Sequence, residues 1–335
     1  MLVSFGGPEG VDEVMPFLDN VLRGKNVPDE RKREVAHHYE AFGGVSPINA
    51  QNRALLAALE KELRDHGISL PIYWGNRNWP PFVTDTMRAM KNAGVKNFLA
   101  LVTSGFSCYS GCRQYREDLI CAQLALGPGG PQFDKIRVWY NHPDFIEVTK
   151  QHWRQAAALF PADRRAGVRT LFTAHSVPDA MAKISDYEIQ LKEACRLTAE
   201  AANISNWSLG FQSRSGPPHQ PWLGPHIGDA IRELHAAGIR DLIVQPVGFI
   251  SDHMEVVYDL DHEAKKLCAD LGVTMVRAAT PGIHPTFVAM LRKLIQERLD
   301  PNFPKEFLGS RGPNHDVCPP DCCASGRPAA ASRGS

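Results

Sequence analysis

The stretch LIVQPVGFISDHMEVVYDLDHEA, residues 242–264, decides how the chain is read. A consecutive apolar run ends at Gln245 and Pro246, Gly248 opens a turn, and from about residue 253 the apolar positions take up helical spacing. A strand at 242–246 feeding a helix at 253–271 is the repeating unit of a parallel sheet. Outward from this unit the same alternation covers the chain. Strands are expected at 170–174, 207–212 and 274–277 beside it, and at 2–5, 72–75, 98–102 and 136–140 in the earlier half. Helices are expected at 28–41, 50–66, 82–93, 187–202, 227–237 and 286–299; in the second of these Leu55, Leu56, Leu59 and Leu63 line one face. A helix near 145–159 joins the halves. The predicted class is α/β, with a lobe at 1–145, a second at 146–308 and a tail at 309–335. No short-period repeat relates the two halves.

Composition narrows the function. The 335 residues carry 37 basic and 37 acidic side chains, so nothing in the charge balance suits a nucleic acid partner. No apolar run approaches the roughly 20 residues that a membrane span needs. The opening MLVSFGGPEG lacks a basic leader and runs straight into a strand, so no signal peptide is expected and the location is expected to be cytoplasmic. Eight cysteines in such a chain point to metal or redox use of any true cluster, since a reducing compartment disfavours disulfides.

Ligands in open α/β sheets bind beyond the carboxyl ends of the strands. At the first such junction, LFTAHSVP (171–178), His175 ends an apolar strand; on its own it reads as a histidine bonded to a nearby carbonyl. In the opening stretch Glu255, Asp259 and Glu263 are spaced i, i+4, i+8. At about 100° per residue they fall within roughly an 80° sector of one helix face, with Asp261 and His262 outside it. A solvated acidic face near a helix N-terminus explains such a row, and so does a path for a hydrated divalent cation. FQSRSGPPHQPWLGP (211–225) sets Arg214 between two serines, as an anion site or a rigid loop. In AFGGVSPINAQN (41–52), Ser46 precedes a helix and suits either a substrate carboxylate or an ordinary cap. YWGNRNWPPF (73–82) can wall an aromatic site or simply be a buried loop. SFGGPEG is no dinucleotide fingerprint.

Five separated pieces, MLVSFGGPEG, GGVSPIN, FTAHSVP, FQSRSG with PWLGP, and PVGFISDHMEVVYDLDHEA, occur in the order of the ferrochelatase family and resemble it as far as about residue 265. These enzymes insert ferrous iron into a porphyrin. The resemblance implies two Rossmann-like lobes, each a four-stranded parallel sheet flanked by helices, with the macrocycle in the cleft between them. It implies that His175 and Glu255 bind Fe²⁺, the substrate metal, and remove protons, and that Asp259 and Glu263 form a metal path. Ser46 and Tyr115 match porphyrin-contacting positions. A neutral histidine suits proton acceptance near neutral pH. One departure is Phe5, which stands where some relatives carry a tyrosine able to ligate the product iron; that leaves the axial ligand on this face open.

The tail HDVCPPDCC (315–323) puts three cysteines in six positions, one short of a closed four-ligand site. Cys195, Cys268 and Cys121 fall in helical patterns, which leaves Cys108 and Cys112 of FSCYSGCRQYRED (106–118) as rivals for the fourth place. The resemblance to actinobacterial members implies a [2Fe-2S] cluster on Cys318, Cys322, Cys323 and a body cysteine, and favours Cys112; structural zinc is the alternative. It also favours coproporphyrin III over protoporphyrin IX as the porphyrin, with downstream haem-pathway enzymes as partners. A haem or iron-sulfur sensor on the same scaffold, or a cobalt or nickel chelatase, are the other readings.

Overall fold

The computed structural model describes residues 1–24, 27–217 and 219–326; the end of the expected tail, 327–335, lies outside the described residues. Strands β1 (Leu2–Ser4), β2 (Trp74–Asn76), β3 (Asn97–Val102) and β4 (Gln132–Lys135) form one sheet, and β5 (Arg169–His175), β6 (Trp207–Gln212), β7 (Asp241–Gln245) and β8 (Thr274–Arg277) a second. The strand orders are β2-β1-β3-β4 and β6-β5-β7-β8. All pairings within them are parallel. The two halves therefore share one topology, as two Rossmann-like lobes.

One strand differs from expectation. The apolar run at 136–140 is not β4; the strand is Gln132–Lys135 just before it. β4 is a sheet edge with Gln132 and Asp134 exposed, so it lacks the continuous apolar pattern of a central strand. Ile136, Val138, Trp139 and Tyr140 are instead buried where the chain crosses between the lobes.

The core is continuous across that crossing. Leu55, Leu59 and Leu63 of helix Ile48–Asp65 belong to the same buried cluster as Phe287, Leu291 and Leu294 of helix Pro285–Leu299, which comes from the other half of the chain. Each such side chain contributes about 1.5–3 kcal/mol by leaving water. Polar bridges follow the same seam. Arg137 meets Glu297 through two bonds of 2.7 and 2.9 Å and caps the Glu306 carbonyl at 3.0 Å. Arg292 pairs with Glu62 at 2.8 Å, and Gln51 Oε1 accepts from the Asp252 amide at 2.9 Å.

The tail returns to the first lobe. Asn141 donates to the carbonyls of Leu308 (3.1 Å) and Gly312 (2.9 Å), and Asn314 reaches the Ser107 hydroxyl at 3.3 Å. No helix among the described residues is long and apolar enough to cross a membrane.

Candidate functional site

β5 delivers His175 to the carboxyl edge of the second sheet, and the loop after β7 delivers Glu255 beside it. Their approach depends on Gly248. A Cβ at that position would lie 2.6 Å from the Ala174 Cβ, so only glycine lets the loop lie flat on the end of β5. The Gly248 amide donates to the Thr173 carbonyl at 3.1 Å and fixes that contact. His253 then caps the next turn, its Nδ1 accepting from the Glu255 amide at 3.3 Å.

His175 Nε2 stands 3.3 Å from Glu255 Oε1, with both side chains partly open to the cleft. The other ring nitrogen, Nδ1, donates to the Ser176 carbonyl. The Tyr187 hydroxyl donates to the His175 carbonyl at 2.9 Å from behind. Burial pulls the imidazole towards neutrality, but the Glu255 carboxylate, the Ser176 carbonyl and Asp259 outweigh it and raise its pKa to about 9. The pairing with Glu255 thus favours the imidazolium form of His175, where the sequence suggested a neutral ring.

The acidic row departs from the geometry assumed for it. After a short helix Met254–Val256, residues Val257–Ala264 form a π-helix before α-helix resumes at Lys265–Asp270. The wider i→i+5 turn changes the angle per residue, and such turns concentrate at functional sites. Glu255 and Asp259 are half-buried and Glu263 is exposed, so the row climbs from His175 towards solvent. Burial, joined by the charges of Glu255 and Glu263, pushes the Asp259 carboxyl up to about 7 against the bond donated by Ser213. Asp261, outside the row, accepts from Arg277 at 2.6 Å, and His262 stacks on Tyr258.

The loop FQSRSG serves this row. Gln212 Nε2 donates to the Glu255 carbonyl at 2.5 Å, and the Ser213 hydroxyl donates to Asp259. Ser213 adopts φ +60°, a left-handed conformation costly for a non-glycine residue and concentrated at functional sites. Arg214 donates to the carbonyls of Pro217 (3.2 Å) and Gln220 (2.9 Å), bracing its own loop.

The first lobe faces this edge with aromatic rings. His38 stacks on Tyr258 at 3.9 Å, and Phe42 meets Tyr258 and His262 edge-on at 6.4 Å. Burial raises the pKa of Tyr39 and of Tyr115, and at Tyr39 the charges of Glu255 and Asp259 add to it. Arg77 lies 5.1 Å over the Tyr115 ring and pairs with Asp118 at 2.8 Å. Ser46 is buried against Gly7, its amide donating to the Pro8 carbonyl at 2.8 Å, and the following helix is capped by Pro47 rather than by the serine side chain. Phe5 packs edge-to-face on Phe17 at 6.2 Å. Gln212, Ser213, His253, Tyr39 and Tyr187 were not singled out from sequence; the partners of Gln212, Ser213 and Tyr187 are distant in the chain, so no local pattern marks these three.

The cysteines converge at a second place. Cys112, in the π-helical turn Tyr109–Arg113, lies within hydrogen-bonding reach of Cys318 and Cys323. Those two thiols donate to it, and with help from Lys135 they hold Cys112 well below an ordinary thiol pKa despite its burial. Cys318 and Cys323 are correspondingly raised. Cys322 Sγ is 3.6 Å from Cys323 Sγ and 3.7 Å from His315 Nε2. Cys108 is engaged elsewhere: its sulfur accepts from the Gly111 amide at 3.1 Å and meets the Ser110 hydroxyl at 3.5 Å. Arg113 donates to the Cys322 carbonyl at 3.2 Å, and Arg116 to those of Cys318 (3.5 Å) and Pro319 (3.4 Å). Four sulfurs ringed by Arg113, Arg116 and Lys135 suit an anionic tetrathiolate metal group.

Comparison with known proteins gives the fold and the family. The sirohydrochlorin chelatase SirB of Bacillus subtilis shares the fold, with TM-scores of 0.52 for its Fe³⁺ complex (15% identity, 77% of this chain and 94% of that one) and 0.51 for its cobalt complex (13%, 91% and 97%). A ferrochelatase of Rhodopirellula baltica is 55% identical over 99% of this chain and 97% of its own length. The coproporphyrin III ferrochelatases of Streptomyces coelicolor (45%, covering 100% and 95%) and Nocardia farcinica (46%, covering 99% and 98%) match equally completely. The family model for ferrochelatase spans residues 1–299, both lobes and the whole His175–Glu263 edge, and the chain belongs to the ferrochelatase family.

Proposed function

We propose that the protein is a cytoplasmic coproporphyrin III ferrochelatase, a lyase that inserts Fe²⁺ into the macrocycle in haem biosynthesis. The observation that carries the reading is the His175–Glu255 pair at 3.3 Å, placed at the foot of the acidic row. Coproporphyrin III is taken as the porphyrin because full-length relatives 44–46% identical bear that substrate in their names.

Insertion requires that two pyrrole protons leave and that the nitrogen lone pairs turn out of the ring plane. Fe²⁺ would descend past Glu263 and Asp259 to Glu255 and His175. Its charge at Glu255 offsets the carboxylate that keeps His175 protonated, and the imidazole becomes a base facing the ring. Binding energy from the walls, with Tyr39, Tyr115 and Ser46 as contacts, holds the macrocycle bent.

Cys112, Cys318, Cys322 and Cys323 would hold a [2Fe-2S] cluster. Bound there, it supplies a crosslink between the tail and the first lobe, with Arg113, Arg116 and Lys135 balancing its charge. Structural zinc on the same sulfurs is distinguished by assaying iron and sulfide in the purified protein.

The test is anaerobic iron insertion with coproporphyrin III and protoporphyrin IX offered in parallel, for wild type and His175→Ala. Wild type is expected to turn over coproporphyrin III faster, and the variant to bind porphyrin without inserting iron. Preference for protoporphyrin IX overturns the substrate. Porphyrin binding without turnover by wild type moves the protein to a sensor, and full activity in the variant removes His175 from the chemistry.

A further inference from the structure

The cysteine cluster has an inner and an outer side. Cys112 and Cys323 are each 4% exposed, whereas Cys318 and Cys322 are half-buried and His315 is exposed. On the outer side His315 Nε2, Cys318 Sγ and Cys322 Sγ all lie within 4.8 Å of one another. Zinc bonds of about 2.0–2.1 Å to nitrogen and about 2.3 Å to sulfur give tetrahedral edges near 3.5 Å for N···S and near 3.8 Å for S···S. The Cys322 sulfur stands 3.7 Å from His315 Nε2. That edge is already close to the length a bound ion would impose, and the Cys318 sulfur lies within 4.8 Å of both.

The donors are also held in place. All three come from the short segment 315–322, whose Asp316 is paired with Lys305 and, at 3.5 Å, with Arg298. The turn is closed by the Cys322 amide on the Pro319 carbonyl at 3.1 Å, and Arg113 and Arg116 grip its backbone. One imidazole with two thiolates and an open fourth position is a donor set for a borderline-soft divalent cation.

We infer that His315, Cys318 and Cys322 form a mononuclear site for a divalent cation of the zinc class, its fourth position left to solvent. The site needs neither Cys112 nor an assembled cluster. It shares Cys318 and Cys322 with the cluster proposed above, so the two occupancies exclude each other, and a cation bound on the outer face blocks cluster assembly.

Cobalt(II) titrated into the full-length protein tests this, since thiolate-to-cobalt absorption marks sulfur ligation and ignores metal bound at the His175 edge. Cys112→Ser, unable to complete the cluster, is expected to bind one Co²⁺ per chain with that absorption. Adding His315→Ala is expected to weaken the binding tenfold or more. If Cys112→Ser does not fold, the comparison is made in Cys323→Ser, which likewise cannot complete the cluster and keeps His315, Cys318 and Cys322. Absence of the thiolate band, or binding indifferent to His315, overturns the site. Failure of the cluster reading appears separately, as wild-type protein purified without iron and sulfide, and leaves the cobalt result intact.

Discussion

Replacing Glu255 by glutamine removes the charge that sets the protonation of His175. In the native fold burial lowers the imidazole pKa, and the Glu255 carboxylate leads the contributions that carry it instead from 6.5 to about 9. Glutamine keeps the shape and can still hydrogen-bond, but it cannot favour imidazolium over imidazole by charge. With burial then dominant, His175 is expected to titrate below 6.5 in Glu255→Gln. At pH 7.5 the ring changes from almost fully protonated to mostly neutral. Heteronuclear NMR of the imidazole Cε1–H in substrate-free protein, assigned with His175→Ala, reads this directly. The linked stability has a definite sign. A folded-state pKa raised above the unfolded one stabilises fully below pH 6.5, and the contribution is lost as pH rises through about 9. The stability gap between wild type and Glu255→Gln should therefore narrow between pH 6 and pH 9.5. A His175 that still titrates near 9 in the variant would refute the assignment of its pKa to this pair.

Two further substitutions probe the frame. Asp259 is raised from 3.8 to about 7, with burial as the leading cause, so the folded state prefers it protonated and stability is lost as pH rises from about 4 to about 7. Asp259→Asn should raise the melting temperature by an amount that grows between pH 5 and pH 7 and then levels off; a pH-independent difference would contradict this. Arg137→Met strands the Glu297 carboxylate, whose side chain is 1% exposed, and should cost about 3–5 kcal/mol in urea unfolding. Arg137→Met with Glu297→Leu should recover most of that loss, and a single variant within about 1 kcal/mol of wild type would show the pair to be replaceable.

Most of the fold was legible because the central strands are rich in apolar residues and are followed within a few positions by a glycine or proline. β4 was not, because an edge strand half in solvent looks polar while the buried crossing at 136–140 imitates a strand. The spacing of Glu255, Asp259 and Glu263 was visible as a row, but its true pitch was hidden. Nothing in VYDLDHEA announces i→i+5 bonding, which is imposed by the elements packed around it. Cys108 and Cys112 enter the same turn four residues apart, so local sequence leaves both open. Only the folded turn turns one sulfur to the Gly111 amide and the other to the tail.

The division of labour between the lobes has a mechanical consequence. His175, Glu255, Asp259 and the Gln212–Ser213 loop that holds them all belong to the second lobe, while His38 and Phe42 approach from the first. A hinge between the lobes would leave the His175–Glu255 geometry intact and change only the walls. Yet the seam is closed by the buried Arg137–Glu297 pair, by Arg292–Glu62, by Gln51 on the Asp252 amide and by one shared apolar core. Opening the cleft would strip partners from groups already out of water, at several kcal/mol for the Arg137–Glu297 pair alone. The walls are therefore as stiff as the chemistry they face. Stiffness is what bending a flat macrocycle demands, since a wall that yields spends the binding energy on itself and leaves the ring planar.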